Sequence, residues 1–209
     1  LAHLRWQTKL PVPTAFQCTG GLPTCVEHDA RALVDLSLRE LKRQGCRSVG
    51  VIAPLRYDET DRLSRSDAMR QFLEALHEIS GELELELRND WVRRPPMNIL
   101  GERVQERFGY DQFRQLWALP ERPAGLLVHP DTVARGVIAA VLEQQVRVPE
   151  DLKLVLSKNK HVELFCPLPA MFVVNDEAEV ARALIRQVEK QFRGEAVELQ
   201  RVRATLSSA

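Results

Sequence analysis

Between Arg122 and Asp151 the sequence reads RPAGLLVHPDTVARGVIAAVLEQQVRVPED. A short apolar run, Gly125–His129, leads to Asp131. A helical pattern starts at once, with Val133, Val137, Ile138, Val141 and Leu142 on one stripe. V-P-E-D then turns the chain into a second apolar run, Leu152–Leu156. Two short apolar runs joined through a helix form a strand–helix–strand unit, and a connection of that length suits parallel pairing within one sheet. The unit commits the chain to an α/β fold with a parallel sheet covered by helices on both faces. It also predicts a place. Ligands of such sheets bind beyond the carboxyl ends of the strands, and Asp131 stands there.

The same alternation runs through the rest of the chain. Thr14–Gln17 is a short extended run. Asp29–Gln44 is helical, with Ala30, Leu33, Val34, Ser37 and Leu41 on one stripe and Gly45 as its stop. Ser48–Ala53 reads as a buried strand, and Ser66–Ile79 as a helix carrying Met69, Phe72, Leu73, Leu76 and Ile79 inward. Leu83, Leu85 and Leu87 alternate with charges, which predicts a strand with one wet face. Arg93-Arg94-Pro95-Pro96 marks a loop. Two helices follow, Asn98–Phe108 and Tyr110–Leu119, parted at Gly109. Met171–Val174 is a strand, Asp176–Phe192 a helix with Asp176 as its cap, and Val197–Val202 a last strand. Strands alternating with helices support a mostly parallel sheet.

Composition narrows the function. Lys+Arg and Asp+Glu are both 29 in 209 residues, so the formal net charge is zero and bulk charge gives no reason to bind nucleic acid. No apolar run approaches the roughly 20 residues of a membrane span, so no membrane partner is expected. LAHLRWQTKLPVP lacks a cationic start, apolar core and cleavage site in order, so no secretion signal is expected. Cys18, Cys25, Cys46 and Cys166 form no C-x-x-C pair and read as reduced, buried small hydrophobes, with a Cys18–Cys25 disulfide as the minor alternative. Reduced thiols favour the cytoplasm. G-x-S-x-G, H-E-x-x-H, a P-loop and a dinucleotide fingerprint are all missing, which argues against an enzyme and for no cofactor or metal. The five histidines are scattered. His129, at a strand end near Asp131, reads as a satisfied pocket histidine, with a general base as the alternative.

Several stretches resemble the effector-binding core of the LacI/GalR family of regulators. They are DARALVDLSLRELKRQGCRSVGVI (Asp29–Ile52), FLEAL (Phe72–Leu76), the run from Gly109 to Asp131 with LPERPAGLLVHPD, and VRVPEDLKLVL (Val146–Leu156). The V-P-E-D turn is the most specific. The resemblance implies a periplasmic-binding-protein-like type I fold: two Rossmann-like parallel-sheet subdomains with an effector cleft between them. It implies that residues 1–80 and 171–209 form a partial N-terminal subdomain and 81–170 the C-terminal one. It further implies that the first units of the core and the DNA reader lie outside this chain.

The resemblance also marks candidate ligand-binding residues. Asp131 matches the family's cleft aspartate; a carboxylate there accepts hydrogen bonds from vicinal hydroxyls, or caps the next helix. The Asn that usually precedes it is Pro130 here. Arg62 and Ser64, with Arg65 as a substitute for an arginine missing at Ala68, match effector-contacting positions in a polar loop; a solvated basic loop is the alternative. Trp91 stands where a stacking aromatic is common, or packs under a loop. A family segment that often carries an acid reads Leu156-Ser157-Lys158-Asn159, so an acid has become Lys158. A more basic cleft implies an anionic effector, such as a sugar acid; a neutral sugar or loss of binding are the alternatives.

The function implied is the effector-sensing, dimerising domain of a LacI-type regulator in the cytoplasm. It would bind a sugar or sugar acid and touch DNA only through a domain outside this chain. Part of an open parallel sheet leaves a bare edge, which favours a homodimer. The alternative is a periplasmic solute-binding protein of a sugar transporter, which shares the fold.

Overall fold

The computed structural model describes residues 12–17, 22–54, 67–95 and 101–208. Two sheets organise them. The larger has six strands in the order β4-β3-β5-β6-β7-β9: β3 is Val49–Ile52, β4 Val92–Arg93, β5 Gly125–Val128, β6 Lys153–Asn159, β7 Ala170–Asn175 and β9 Thr205–Ser208. All pairings in it are parallel except β7 with β9. The smaller has three parallel strands, β1 (Phe16–Gln17), β2 (Cys25–His28) and β8 (Gln200–Val202), in the order β1-β2-β8.

Strand alternation builds two cores on the larger sheet. Val51, Leu127, Val155 and Val173 face one side, where α1 (Ala30–Arg43) and α2 (Asp67–Glu82) supply Val34, Leu38, Leu41, Phe72, Leu76 and Ile79. Ile52, Leu126, Val128, Leu154 and Leu156 face the other. There α3 (Glu102–Trp117) and α4 (Asp131–Glu143) supply Phe113, Leu116, Val137 and Val141. Each buried aliphatic side chain stabilises the fold by about 2 kcal/mol. The strands are apolar throughout because both faces are covered.

Local chemistry fixes the ends. An oxygen of Asp29 accepts from Ala32 N at 2.9 Å and caps α1. Gly45, at φ +84°, ends it, a conformation that costs side-chain-bearing residues more. The V-P-E-D turn is clamped by its own ends: Arg147 donates to both oxygens of Asp151, Nε at 2.9 Å and Nη2 at 2.6 Å. That hydrogen bonding holds the Asp151 carboxyl below its ordinary pKa.

The structure corrects several expectations. The two helices expected around Gly109 are one, α3, and Gly109 sits in its middle. A Cβ at Gly109 would lie 2.2 Å from Val133 O, and one at Gly136 only 1.9 Å from Glu106 O. The paired glycines let α3 and α4 cross in backbone contact, so Gly109 marks close packing rather than a break. Leu83–Leu87 is not a strand: Glu84 takes φ +52° after α2, and the segment keeps one isolated bridge, Ser48 with Glu86. Cys46 and Cys166 are free, but Cys25 is disulfide-bonded, contrary to the expectation of four reduced thiols; Cys18 lies outside the described residues.

The expected division into 1–80 with 171–209 against 81–170 does not follow the sheets. β3 pairs with β5 over four residues, and α1 and α2 pack on that same sheet. Among the described residues, a large lobe therefore takes in 30–54, 67–95, 101–175 and 205–208. A small lobe holds β1, β2, β8 and α5 (Glu177–Phe192), with Val26, Val180 and Ala183 as its buried apolar residues. The chain crosses between lobes after β2, after β7 and after β8. The crossings are tied together: Asp29 N donates to Val202 O at 2.9 Å, and Arg203 Nε lies 3.8 Å from Asp29 Oδ2.

Candidate functional site

The carboxyl ends of β5, β6 and β7 open toward the crossings. Asp131 follows β5 and begins α4, with its side chain nearly enclosed at 6% exposure. Its Oδ2 accepts from Asn159 N at 3.2 Å, at the end of β6. The carboxylate thus ties two adjacent strand ends. Pro130, not Asp131, is the residue just before the first helical turn, and it has no side-chain donor or acceptor to cap it.

His129 lies beside this carboxylate. Its Nδ1 is 2.6 Å from Ser157 Oγ, and its ring tilts against Phe72 with centroids 5.8 Å apart. Burial pushes its pKa down to about 4; the Asp131 charge opposes that shift and His28 adds to it. His129 is therefore neutral near pH 7 and acts as a hydrogen-bonding group. Ser157 is 1% exposed. Among the described residues no hydrogen bond joins His129 to a carboxylate, so this trio lacks the connected base that an activated serine needs.

Of the residues singled out from sequence, Asp131 and Asn159 come together at these strand ends, and Lys158 precedes Asn159 in β6. Lys158 holds its ammonium 5.0 Å from the Phe172 ring centroid, and Lys160 pairs with Asp176 at 2.7 Å. Arg62, Ser64 and Arg65 lie outside the described residues. Trp91 is a correction. Its ring is 2% exposed in the core with Phe113 and Leu126, its indole N–H donates to Glu121 O at 3.2 Å, and Arg88 covers it at 4.7 Å. Glu121 precedes β5, so Trp91 packs at the amino ends of the strands, opposite Asp131.

Two residues at the junction escaped the sequence reading. His28 ends β2, and Glu177 opens α5 directly after β7. Nδ1 of His28 and both carboxylate oxygens of Glu177 are shut off from solvent without a hydrogen-bond partner among the described residues. Burial lowers the His28 pKa, and the nearby Glu177 charge partly restores it. The available signal was positional: each adjoins an aspartate, Asp29 or Asp176, that caps a helix right after a strand.

This site consists of hydrogen-bonding groups on two lobes joined by three crossings. No group of three or more His, Cys, Asp or Glu among the described residues is arranged to hold a metal.

Residues 38–207 match the family of periplasmic binding protein-like domains. The HTH-type transcriptional repressor PurR of Pectobacterium atrosepticum is 30% identical over 130 residues, which are 62% of this chain and 34% of that protein. The HTH-type transcriptional repressor CytR of Escherichia coli is 28% identical over 89 residues, 43% of this chain and 26% of that protein. The chain spans about a third of the length of the curated relatives it matches. The crystal structure of a LacI family transcription regulator from Clostridium acetobutylicum superposes with a TM-score of 0.72 at 17% identity, covering 98% of this chain and 73% of that one.

Proposed function

The chain belongs to the family of periplasmic binding protein-like domains, and from that premise we propose that it is the effector-sensing and dimerising part of a LacI-type transcriptional regulator. Its effector is a small sugar or sugar acid held between the lobes. The observation that carries this reading is the Asp131 carboxylate, buried at the ends of β5 and β6, with one oxygen tied to Asn159 N. Lys158, where the resembling family often has an acid, supports an acidic effector.

The mechanism is a population shift. An effector that touches both lobes stabilises one closure angle in proportion to its preference for that angle. In the whole protein that angle sets the spacing of DNA readers in a cytoplasmic homodimer. The names of the relatives, transcriptional repressors, support regulation over transport.

Calorimetric titration with neutral sugars and with sugar acids tests this. Sugar acids should bind, and Asp131→Asn should weaken them about tenfold, since a charged hydrogen bond is lost. Binding of neutral sugars alone contradicts the acidic effector. Binding of neither class contradicts the sensor.

A further inference from the structure

The far end of the large lobe carries a cavity of about 510 Å³, within the range of about 300–1,000 Å³ typical of small-ligand sites. It lies at the amino ends of β5 and β6, where α3 leads into β5 and α4 into β6, at the other end of β5 from Asp131. Trp117, Pro123 and Val146 give it an apolar wall, and Arg122, Gln144 and Gln145 an exposed polar rim.

The wall is fixed in place. Trp117 stacks on Phe113, with ring centroids 5.6 Å apart and planes 13° from parallel. Gln145 N donates to Leu142 O and Val146 N to Val141 O, both at 3.1 Å, which holds the turn that carries both carboxamides. The rim has hydrogen-bonding capacity left over. Arg122 lays its guanidinium 4.8 Å from the Trp117 ring centroid and uses only Nε, on Leu119 O at 3.2 Å. Its terminal N–H groups meet no acceptor among the described residues, and no carboxylate there pairs with it. The Gln144 and Gln145 carboxamides likewise make no hydrogen bond among the described residues. Asp151, the one carboxylate on the lining, is matched by Arg147, whose Nη2 lies 2.6 Å from its Oδ1. The charge of Arg122 is the one left uncompensated.

These groups select a ligand class. A carboxylate is planar and takes two parallel N–H donors from a guanidinium. One such group neutralises the site, and a second negative charge would face Asp151. The body behind it meets an indole beside a guanidinium, and an aromatic ring packs on both better than an aliphatic one. An extended peptide is disfavoured, because β5 and β6 are inner strands with no open edge to extend.

We propose that this cavity is a second ligand site, for a small aromatic monocarboxylate. Its carboxylate pairs with the terminal N–H groups of Arg122, its ring packs against Trp117 and Pro123, and the Gln144 and Gln145 carboxamides take a polar ring substituent. The site shares no residue with the strand ends around Asp131, so it stands independently of the effector reading.

The test titrates the full chain with para-hydroxybenzoate, with its neutral counterpart para-hydroxybenzyl alcohol and with its saturated counterpart para-hydroxycyclohexanecarboxylate, followed by amide-resolved NMR. The benzoate should saturate with a dissociation constant of about 1 mM or below. It should move the amide signals of Gln144, Gln145 and Val146 and leave that of Asn159 in place. The alcohol and the saturated acid should each bind about tenfold more weakly. Arg122→Gln should weaken the benzoate about tenfold and leave the alcohol unchanged, which separates a lost ion pair from a disturbed fold. The ligand comparison uses the unmodified chain and stands even if the variant fails to fold. Equal affinity for the alcohol, or an unweakened Arg122→Gln, overturns the pairing with Arg122, and equal affinity for the saturated acid overturns the aromatic assignment. Signals that move at Asn159 and not at Gln144 and Gln145 overturn the second site in favour of the interlobe one. No saturable movement with any of the three ligands overturns the site itself.

Discussion

The two lobes are made of the same parts in unequal amounts. The large lobe closes a six-stranded sheet between two helix layers, and residues such as Leu127 and Val155 are fully buried. The small lobe has a three-stranded sheet whose buried apolar residues are Val26, Val180 and Ala183. Its enclosed polar groups are conspicuous by comparison: His28, Glu177 and Gln187 each keep an atom buried without a partner among the described residues. Apolar burial scales with area, so the large lobe holds most of the stability. The small lobe contributes unsatisfied hydrogen-bonding capacity at the junction. Apolar burial is thus concentrated in the large lobe, and buried polar atoms without a partner among the described residues lie in the small one.

That contrast can be broken first at the α3–α4 crossing. Gly136→Ala puts a methyl group within 1.9 Å of Glu106 O, and two packed helices must separate to admit it. A loss of about 4 kcal/mol in denaturant unfolding is expected; a loss under about 1 kcal/mol would show that the crossing is loose. Next, Leu127→Ala should cost about 3 kcal/mol, against about 1 kcal/mol for Val180→Ala in the small lobe. Equal costs would mean that the lobes are equally packed. Native-state hydrogen exchange should rank the same way, with β5 and β6 amides slower than β2 and β8 amides.

A pH series sharpens the comparison at the junction. His129 titrates near its ordinary value when unfolded but at about 4 when folded, because burial disfavours its charged form. Between those values the unfolded chain binds the extra proton. The contribution to stability is therefore complete above about pH 6.5 and falls as pH drops, by about 2 kcal/mol at pH 5. His129→Asn should flatten that part of the profile; an unchanged slope would locate the effect elsewhere. The smallest effect is at the first crossing. Asp29→Ala removes the cap on Ala32 N and should cost about 1 kcal/mol in thermal unfolding, whereas no change would mean the α1 cap is redundant.

Much of the fold was legible because its signals are local. Asp29 and Asp176 cap helices that follow strands, and the V-P-E-D turn separates α4 from β6. The α/β class and the LacI-like, periplasmic-binding-protein-like architecture read from these stretches agree with the sheet topology and with the relatives. Signals that depend on a neighbour misled. Gly109 looks like a helix stop until Val133 is seen against it, and LELEL looks like a strand although the sheet pairs Val92–Arg93 with β3 instead. Trp91 looks like a ligand platform because an exposed and a buried indole read alike in sequence. The site follows the same rule. Asp131 was legible from a strand end followed by a helix. His28 and Glu177 stand at the end of β2 and the start of α5, far apart in sequence, and each is marked only by the helix-capping aspartate beside it.

The central claim is that a ligand at Asp131 draws the lobes together. Spin labels at Ala139 on α4 and Arg186 on α5, both exposed, report the interlobe distance by electron–electron resonance. Saturation with the sugar that binds most tightly should shift and narrow the distance distribution, and Asp131→Asn should require more sugar for the same shift. A bound sugar that leaves the distribution unchanged would contradict the account.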